Sequence, residues 1–476
     1  ATGAADGTSW TDAFTDLRDA LLNVNHNQEV WVAAGTYTPT NGSTRTETFK
    51  WTRDSIRLYG GFDGTETSLT QRDWKNNPTI LSGDVGIPVD FTDNSFTVLQ
   101  GPVGSIGSVI SYAKIDGLTI TNGFANASFD ENRFGGGAYF SGYTDRIDIE
   151  NCTFIQNGAE AGGGLQVVQD VRNMEVNVVN CVFHENRSRW SAGLGVSATD
   201  GNTELVVNLV GCTFSANEVV DGIWSGQGTT GIIYAFSTGT LTFRIANCTF
   251  ADNLNPGSGI ATEERTTILY YKTSSADLRL FVDNSIFWNN DAEHEVLKNL
   301  LANSIDADSA HVRHSIADSP KFGASIAVSN VDSMNPMFVD AANFDYDLQI
   351  SSPAINQGDT AHLTNVLPAL DPLGRVRIFG TVIDLGAFES TVPLAIAEAG
   401  LNQALQLFPN PATSHLNWTL HQPVRSLTVM DAFGRTLISK TNPSESTLDL
   451  NHLAPGTYFV RVETDAQIHT GRFTKQ

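Results

Sequence analysis

Four cysteines occupy the same slot of one repeated phrase, and no other feature narrows the possible folds as far. Cys152 sits in Asn-Cys-Thr-Phe-Ile-Gln-Asn, Cys181 in Asn-Cys-Val-Phe-His-Glu-Asn, Cys212 in Gly-Cys-Thr-Phe-Ser-Ala-Asn and Cys248 in Asn-Cys-Thr-Phe-Ala-Asp-Asn. The copies are 29, 31 and 36 residues apart, and a fifth, Asn284 to Asn290 with Ser285 in the cysteine slot, follows after a further 37. Self-similarity at this period, with inserts of variable length, predicts a solenoid whose repeats bury their apolar faces against one another.

Side chains of a strand alternate between its two faces, so Cys and Phe of each copy share one face while Asn and Thr share the other. The apolar pair points inward. Successive copies then stack Cys152, Cys181, Cys212 and Cys248 in one column and Phe154, Phe183, Phe214 and Phe250 in another, with roughly 4.8 Å between rungs. That spacing exceeds the Cβ–Cβ distance of about 3.8 Å that a disulfide prefers, so free thiols acting as small core hydrophobes are expected. The closing residues Asn157, Asn186, Asn217, Asn253 and Asn290 should sit in left-handed turns and bond to one another in a ladder. Glycines open a further strand of each coil at Gly135-Gly136-Gly137, Gly162-Gly163-Gly164 and Ala192-Gly193-Leu194-Gly195, as tight corners require. No helical periodicity separates the strands, which argues against βαβ units. The pattern predicts an all-β chain wound as a parallel β-helix.

The chain resembles the right-handed parallel β-helix proteins of the pectate-lyase-like superfamily, in the secreted form found in Bacteroidota. Four segments besides the phrase carry the likeness. They are Gly3-Ala4-Ala5-Asp6-Gly7-Thr8-Ser9-Trp10, similar to an amino-terminal cap, then Val30-Trp31-Val32 with Gly35-Thr36-Tyr37, and Leu58-Tyr59-Gly60-Gly61-Phe62. The fourth pairs Ser352-Pro353-Ala354-Ile355-Asn356-Gln357-Gly358-Asp359 with Asp384-Leu385-Gly386-Ala387-Phe388-Glu389, which resemble closing coils. The likeness covers residues 1–390, assigned to the β-helix domain, with 391–405 as a linker.

Residues 406–476 follow another pattern. Short alternating strands at Leu416–Leu420, Leu427–Met430, Thr436–Ser439, Thr447–Leu450 and Tyr458–Val462, separated by turn signals, predict a small antiparallel sandwich. Pro409, Asn410 and Pro411, then Gly456 and Tyr458 in Leu-Ala-Pro-Gly-Thr-Tyr, then Gly471, Phe473 and Lys475 in the basic tail resemble the carboxy-terminal sorting domain of the type IX secretion system. The likeness implies that secretion machinery as a partner and a secreted or cell-surface location.

Charge and hydropathy bound the partners. Residues 391–476 hold six acidic and six basic side chains, so the whole net charge of −24 lies in residues 1–390. Such a surface argues against nucleic acid, which needs clustered Lys and Arg. No stretch approaches the roughly 20 apolar residues of a transmembrane helix. The chain starts at Ala1 without Met and reads as a mature form. Trp10, Phe14, Leu17, Leu21 and Leu22 recur at helical spacing after Ser9 or Thr11 as N-cap. They predict an amphipathic helix covering one end of the solenoid. A second helical stretch is expected over 291–303.

Signs of catalysis are sparse. By the superfamily likeness a polygalacturonase-type hydrolase would carry Asp-Asp and Gly-His-Gly motifs, and the chain has neither. The best catalytic candidates are Asp170 and Arg172 with His184, Glu185, Arg187 and Arg189, types that bind sugar and move protons. A polar loop with surface ion pairs is the simpler reading. Trp190, Trp224 and Trp288 are candidate stacking platforms for sugar rings. Asp84, Asp90 and Asp93, in a glycine-containing loop, are candidate oxygen ligands for calcium, and no other cofactor is expected. The favoured role is a non-enzymatic surface protein for adhesion, glycan binding or matrix structure. The alternatives are a polysaccharide lyase or glycoside hydrolase with an atypical site, and a self-associating fibre subunit.

Overall fold

The structure, a computed structural model, describes residues 2–102, 109–127, 131–142, 144–169, 171–220, 230–254, 265–272, 276–290, 295–299, 310–318, 326–361, 363, 367–379, 382–390, 405–420, 423–431, 435–464 and 468–476. Asp170 and Trp224 lie outside these residues. The chain divides into two compact units, Ala1–Pro393 and Leu394–Gln476.

The first unit is a parallel β-helix. Its coils feed an 18-stranded, an 8-stranded and a 4-stranded sheet. One coil runs Arg146–Glu150, Thr153–Ile155, Gly158–Ala159 and Leu165–Gln169. Each of these strands lies parallel to its counterpart one coil on, with Ile147 beside Val176, Phe154 beside Phe183, Gly158 beside Arg187 and Leu165 beside Leu194.

The repeated phrase makes two corners. Asn151, Asn180, Gly211, Asn247 and Asn284 have φ of 51°, 52°, 65°, 49° and 51°. Gln156, Glu185, Ala216, Asp252 and Asn289, each one residue before the closing Asn, have φ of 56°, 52°, 51°, 55° and 52°. The left-handed residues are therefore the opening one and the penultimate one, which corrects the expectation for the closing Asn. That Asn instead turns inward at the corner. Asn157, Asn186, Asn217 and Asn253 donate through Nδ2 to the Oδ1 of the next coil's Asn at 3.0, 3.0, 2.9 and 2.8 Å. The same amides also donate to the carbonyls of Ile120, Phe154, Phe183 and Phe214. The amide column supplies the hydrogen bonds that two non-coplanar sheets cannot make across a bend.

Inside, Cys152, Cys181, Cys212 and Cys248 are buried free thiols. The Sγ of Cys181 accepts from the backbone N–H of Cys152, and that of Cys212 from Cys181, both at 3.4 Å. Phe154, Phe183, Phe214, Phe250 and Phe287 stack with centroids 4.8, 4.4, 4.9 and 4.8 Å apart. At the glycine corner, a Cβ on Gly163 would lie 2.6 Å from the Ala192 carbonyl oxygen, so only glycine allows that approach.

A helix, Leu17–Asn23, puts Leu17 and Leu21 into the main core. It starts later than the periodicity predicts, because Asp16 is the cap and accepts from the Arg18 N–H. Trp10 lies before the helix and packs on Trp31 and Phe62, with centroids 6.4 and 5.5 Å away. Leu22 points out and is 69% exposed. Residues Glu295–Asn299, where a helix is expected, form a strand on Arg265–Lys272. The open edge of that neighbouring strand overrides local propensity.

The last parallel strand is Ala327–Asp332. Beyond it the described residues of this unit add no further parallel strand. A hairpin of Phe338–Asp340 and Asp345–Leu348, then turns and loops to Ser390, run back along the solenoid's outer flank. The corner asparagines hold this returning segment: Asn180, Asn247 and Asn284 donate to the carbonyls of Leu370, Asp384 and Asp359 at 3.0, 2.8 and 2.9 Å. Ser352 to Asp359 and Asp384 to Glu389 are therefore flank loops, tied to each other and to the solenoid by backbone bonds such as Gly358 to Ile383, Leu385 to Ala354 and Gly386 to Asn284, and by side-chain acceptors. Gly211 replaces Asn in its copy because Arg377 sits there; a Cβ would lie 2.4 Å from Arg377 Nη2.

The second unit is an antiparallel sandwich. One sheet holds Gln406–Phe408, His415–Thr419 and Thr447–Asp449; the other holds Thr436–Thr441, Val424–Met430, Gly456–Thr464 and Ile468–Lys475. Leu416, Trp418, Leu427, Val460 and Phe473 fill the space between them.

Candidate functional site

The outer face of the 8-stranded sheet carries a groove. Register puts Lys50, Gln100, Tyr139, Gln166 and Gly195 side by side, on the face opposite the buried Phe49, Leu99, Ala138, Leu165 and Leu194. Arg45, Thr46, Thr48, Thr97, Glu131 and Asn132 complete a groove of about 290 Å³. Arg45 braces one wall. Its guanidinium lies 4.1 Å over the Phe96 ring and donates to the carbonyls of Asn94 and Phe124 at 2.6 and 2.9 Å. Burial lowers its pKa, against the pull of Asp93. Lys50 is exposed. Further along the face Gln166 is only 4% exposed, and its Oε1 has no partner. The side chain fits because Gly195 leaves the space; a Cβ there would lie 1.9 Å from that oxygen. Hydroxyls, amides, the two cations Arg45 and Lys50 and the carboxylate of Glu131 suit a polyhydroxylated ligand, and the volume is at the small end for ligand sites.

The catalytic candidates are scattered. Arg172 pairs with Asp145 at 2.9 Å in a separate open hollow that includes Glu175 and Glu204. Arg187 pairs with Glu218 at 2.9 Å, and Arg189 approaches Glu160 at 3.8 Å while its guanidinium lies 5.4 Å from the Trp190 ring. His184 Nδ1 meets Ser215 Oγ at 2.9 Å, and its Nε2 is 3.7 Å from Glu185 Oε1. Burial lowers the His184 pKa, opposed by Glu185. Phe344 of the returning segment packs edge-on to this ring at 4.4 Å, and Tyr346 bonds Asp252 at 2.8 Å nearby in the same flank. The structure thus joins His184 to Ser215, which the sequence reading missed. The signal was present, since both hold the fifth position of the phrase and must be neighbours in register. Trp288, in the same position, packs against the flank cluster of Tyr346 and Leu348.

Asp84, Asp90 and Asp93 brace their own loop. Asp84 accepts from Val89, Asp90 from Thr92 and Asp93 from Ile87, at 3.3, 2.9 and 2.8 Å. Among the described residues no three His, Cys, Asp or Glu side chains are grouped to hold a metal.

In the second unit the Pro, Asn and Gly punctuation builds one seam. Asn410 donates to the Arg472 carbonyl and accepts from the Thr474 N–H, both at 3.0 Å, so the segment through Pro409 and Pro411 is fixed to the last strand ahead of Lys475. Tyr458 stacks on Phe473 at 5.6 Å and donates to the Ala454 carbonyl at 2.7 Å, in the turn before Gly456. Gly471 makes room for Leu407, whose Cδ1 would be 2.6 Å from a Cβ there. Residues 406–476 match a family described as the secretion system C-terminal sorting domain. The unit is a type IX sorting domain. It brings the protein to the type IX secretion machinery and makes it secreted or attached at the cell surface. No helix among the described residues is long and apolar enough to cross a membrane. The chain matches no curated protein.

Proposed function

We propose that this is an exported, non-enzymatic β-helix that binds glycan along the outer face of its 8-stranded sheet. The groove over Lys50, Gln100 and Tyr139 carries the reading, because hydroxyl and amide groups on a rigid sheet can hydrogen-bond a sugar with little loss of freedom. The scatter of the acid and base candidates supports binding over cleavage. The test incubates the full chain with neutral and acidic polysaccharides and reads both retention and new reducing ends or unsaturated uronate. Retention without cleavage, weakened about tenfold by Lys50→Ala with Gln100→Ala, is expected. Cleavage would sink the non-enzymatic reading, and retention indifferent to both substitutions would sink the groove.

A further inference from the structure

Arg45 is held differently from the other cations that this unit withdraws from solvent. Among the described residues those cations meet a carboxylate: Arg72, Lys114, Arg313 and Arg375 pair with Asp116, Glu150, Asp283 and Asp347 at 2.6, 2.6, 2.8 and 2.8 Å. Arg377 makes no ion pair, but both Asp371 and Glu389 lie near it. Arg45 is half-buried and bonds only neutral oxygens. Its Nε donates to the Asn94 carbonyl at 2.6 Å, and its Nη2 donates to the Phe124 carbonyl and Asn126 Oδ1 at 2.9 and 2.6 Å. Its Nη1 has no partner among the described residues. Asp93 attracts the guanidinium without forming an ion pair, and its Oδ2 accepts from the Ile87 N–H. Lys50 lines the same groove, is exposed, and has no partner among the described residues. Glu131 is the one carboxylate in the lining. The groove is therefore locally cationic in a unit that holds the whole net charge of −24.

We propose that this groove is an anion seat, in which Arg45 and Lys50 hold a sulfate, phosphate or carboxylate group carried on a sugar. The inference rests on the glycan reading of the groove and names the substituent that the glycan bears. A guanidinium that has given up water for neutral acceptors alone keeps its full charge, and burying a charge without a counter-ion is costly. An anion at Nη1 offsets that cost through a charge-assisted hydrogen bond, and the Lys50 ammonium adds a second. The acidic remainder of the unit opposes this only weakly, because exposed charges are screened beyond about 8 Å at physiological salt. Thr46, Gln100 and Tyr139 of the same lining are then left for the neutral hydroxyls of the sugar.

The test has two arms, both on the full chain at physiological ionic strength. In the first, dextran and xylan are each offered in native, sulfated, phosphorylated and carboxymethylated form, and retention is measured. The anionic forms should be held at least about tenfold more tightly than the neutral ones, and the form held best identifies the group. Lys50→Met, a change at an exposed side chain, should remove most of that preference. Lys75→Met, which makes the same charge change outside the groove, should leave it intact. In the second arm the melting temperature is read in low-millimolar sulfate or phosphate against chloride at equal ionic strength. Either oxyanion should raise it in the native chain and not in Arg45→Gln; the increment is the readout, so a lower starting stability of that variant does not obscure it. Equal retention of neutral and anionic polysaccharides overturns the anion seat and leaves the glycan reading standing. An oxyanion increment that depends on Arg45, with no polysaccharide retained, supports the seat and sinks the glycan reading. Anionic preference that Lys50→Met and Lys75→Met reduce equally overturns the seat, since net charge alone would then explain it.

Discussion

Between Asn157 and Asn290 the coils bury neutral amides, while between Asp371 and Glu389 the returning segment buries charges. In the coils each Asn is satisfied by the same residue one rung on, so translation alone supplies donors and acceptors. The returning segment has no repeat to lean on. Arg377, 1% exposed, donates to the carbonyl of Ala387 at 2.7 Å and to Asn180 Oδ1 at 3.1 Å. Arg375 joins Asp371 and Asp347 at 2.8 Å each. Glu389 accepts from Phe379 and Asp384 at 3.1 Å. A repeat makes buried polarity self-consistent, whereas a single-copy segment must match each charge to an individual partner.

The largest effect should come from breaking that matching. Arg377→Met keeps most of the volume but leaves the Ala387 carbonyl and Asn180 Oδ1 without their donor and removes a positive charge near Asp371 and Glu389. Removing one partner of a buried charge set costs about 3–5 kcal/mol. Asn217→Ala removes the Oδ1 that accepts from the Nδ2 and backbone N–H of Asn186, and the Nδ2 that donates to Asn253 Oδ1 and the Phe183 carbonyl, for about 2–4 kcal/mol. Urea unfolding followed by circular dichroism ranks the two. If Asn217→Ala proves the more damaging, the contrast between neutral and charged burial is wrong.

Gly211→Asn sharpens the comparison, because there the two regions meet. The repeat alone says the change restores the phrase and is harmless. The structure says the new Cβ lies 2.4 Å from both Arg377 Nη2 and Asn180 Oδ1, an overpacking worth about 1–3 kcal/mol. Stability at or above the native level would show that Arg377 does not depend on the missing side chain. The same position marks how far the sequence was legible. Columns of Cys, Phe and Asn could be read directly because each residue's neighbour is another copy of itself. The flank could not: Leu370, Asp384 and Asp359 reach their asparagines from 190, 137 and 75 residues away, and nothing local in those loops encodes the pairing. Only the lone Gly at 211 hinted that something else fills the corner. In the site, Lys50, Gln100 and Tyr139 escaped notice because the early coils lack the phrase that would have set their register.

A smaller effect is set by pH. Burial is the main cause that pushes the Glu389 carboxyl up to about 7, helped by Asp384 and opposed by Arg377 and the two backbone N–H groups. The folded state therefore holds a proton more tightly than the unfolded chain. The associated stability is full below about pH 4.5 and is lost as pH rises to about 7. Asp384 is raised by burial as well and acts in the same direction. Differential scanning calorimetry of Glu389→Gln should show a lower melting temperature in acid but a flatter profile over that interval. An unchanged slope would mean the buried carboxyl is not what titrates.

The least perturbing probe addresses the thiols, the neutral extreme of the same comparison. Burial pushes Cys152, Cys181 and Cys212 well above the ordinary thiol range, so neither access nor thiolate is available in the native coil. Cys212→Ala removes little more than one sulfur from a column that Cys181 and Cys248 still flank, and should cost about 1 kcal/mol. Native protein should take up negligible maleimide, and four sites should label after denaturation without reductant. Two or fewer would mean that the column is bridged, and the spacing of one rung would no longer explain why cysteine can recur in this slot. Four would place the sulfurs with the phenylalanines, as packing that the repeat renews at every coil.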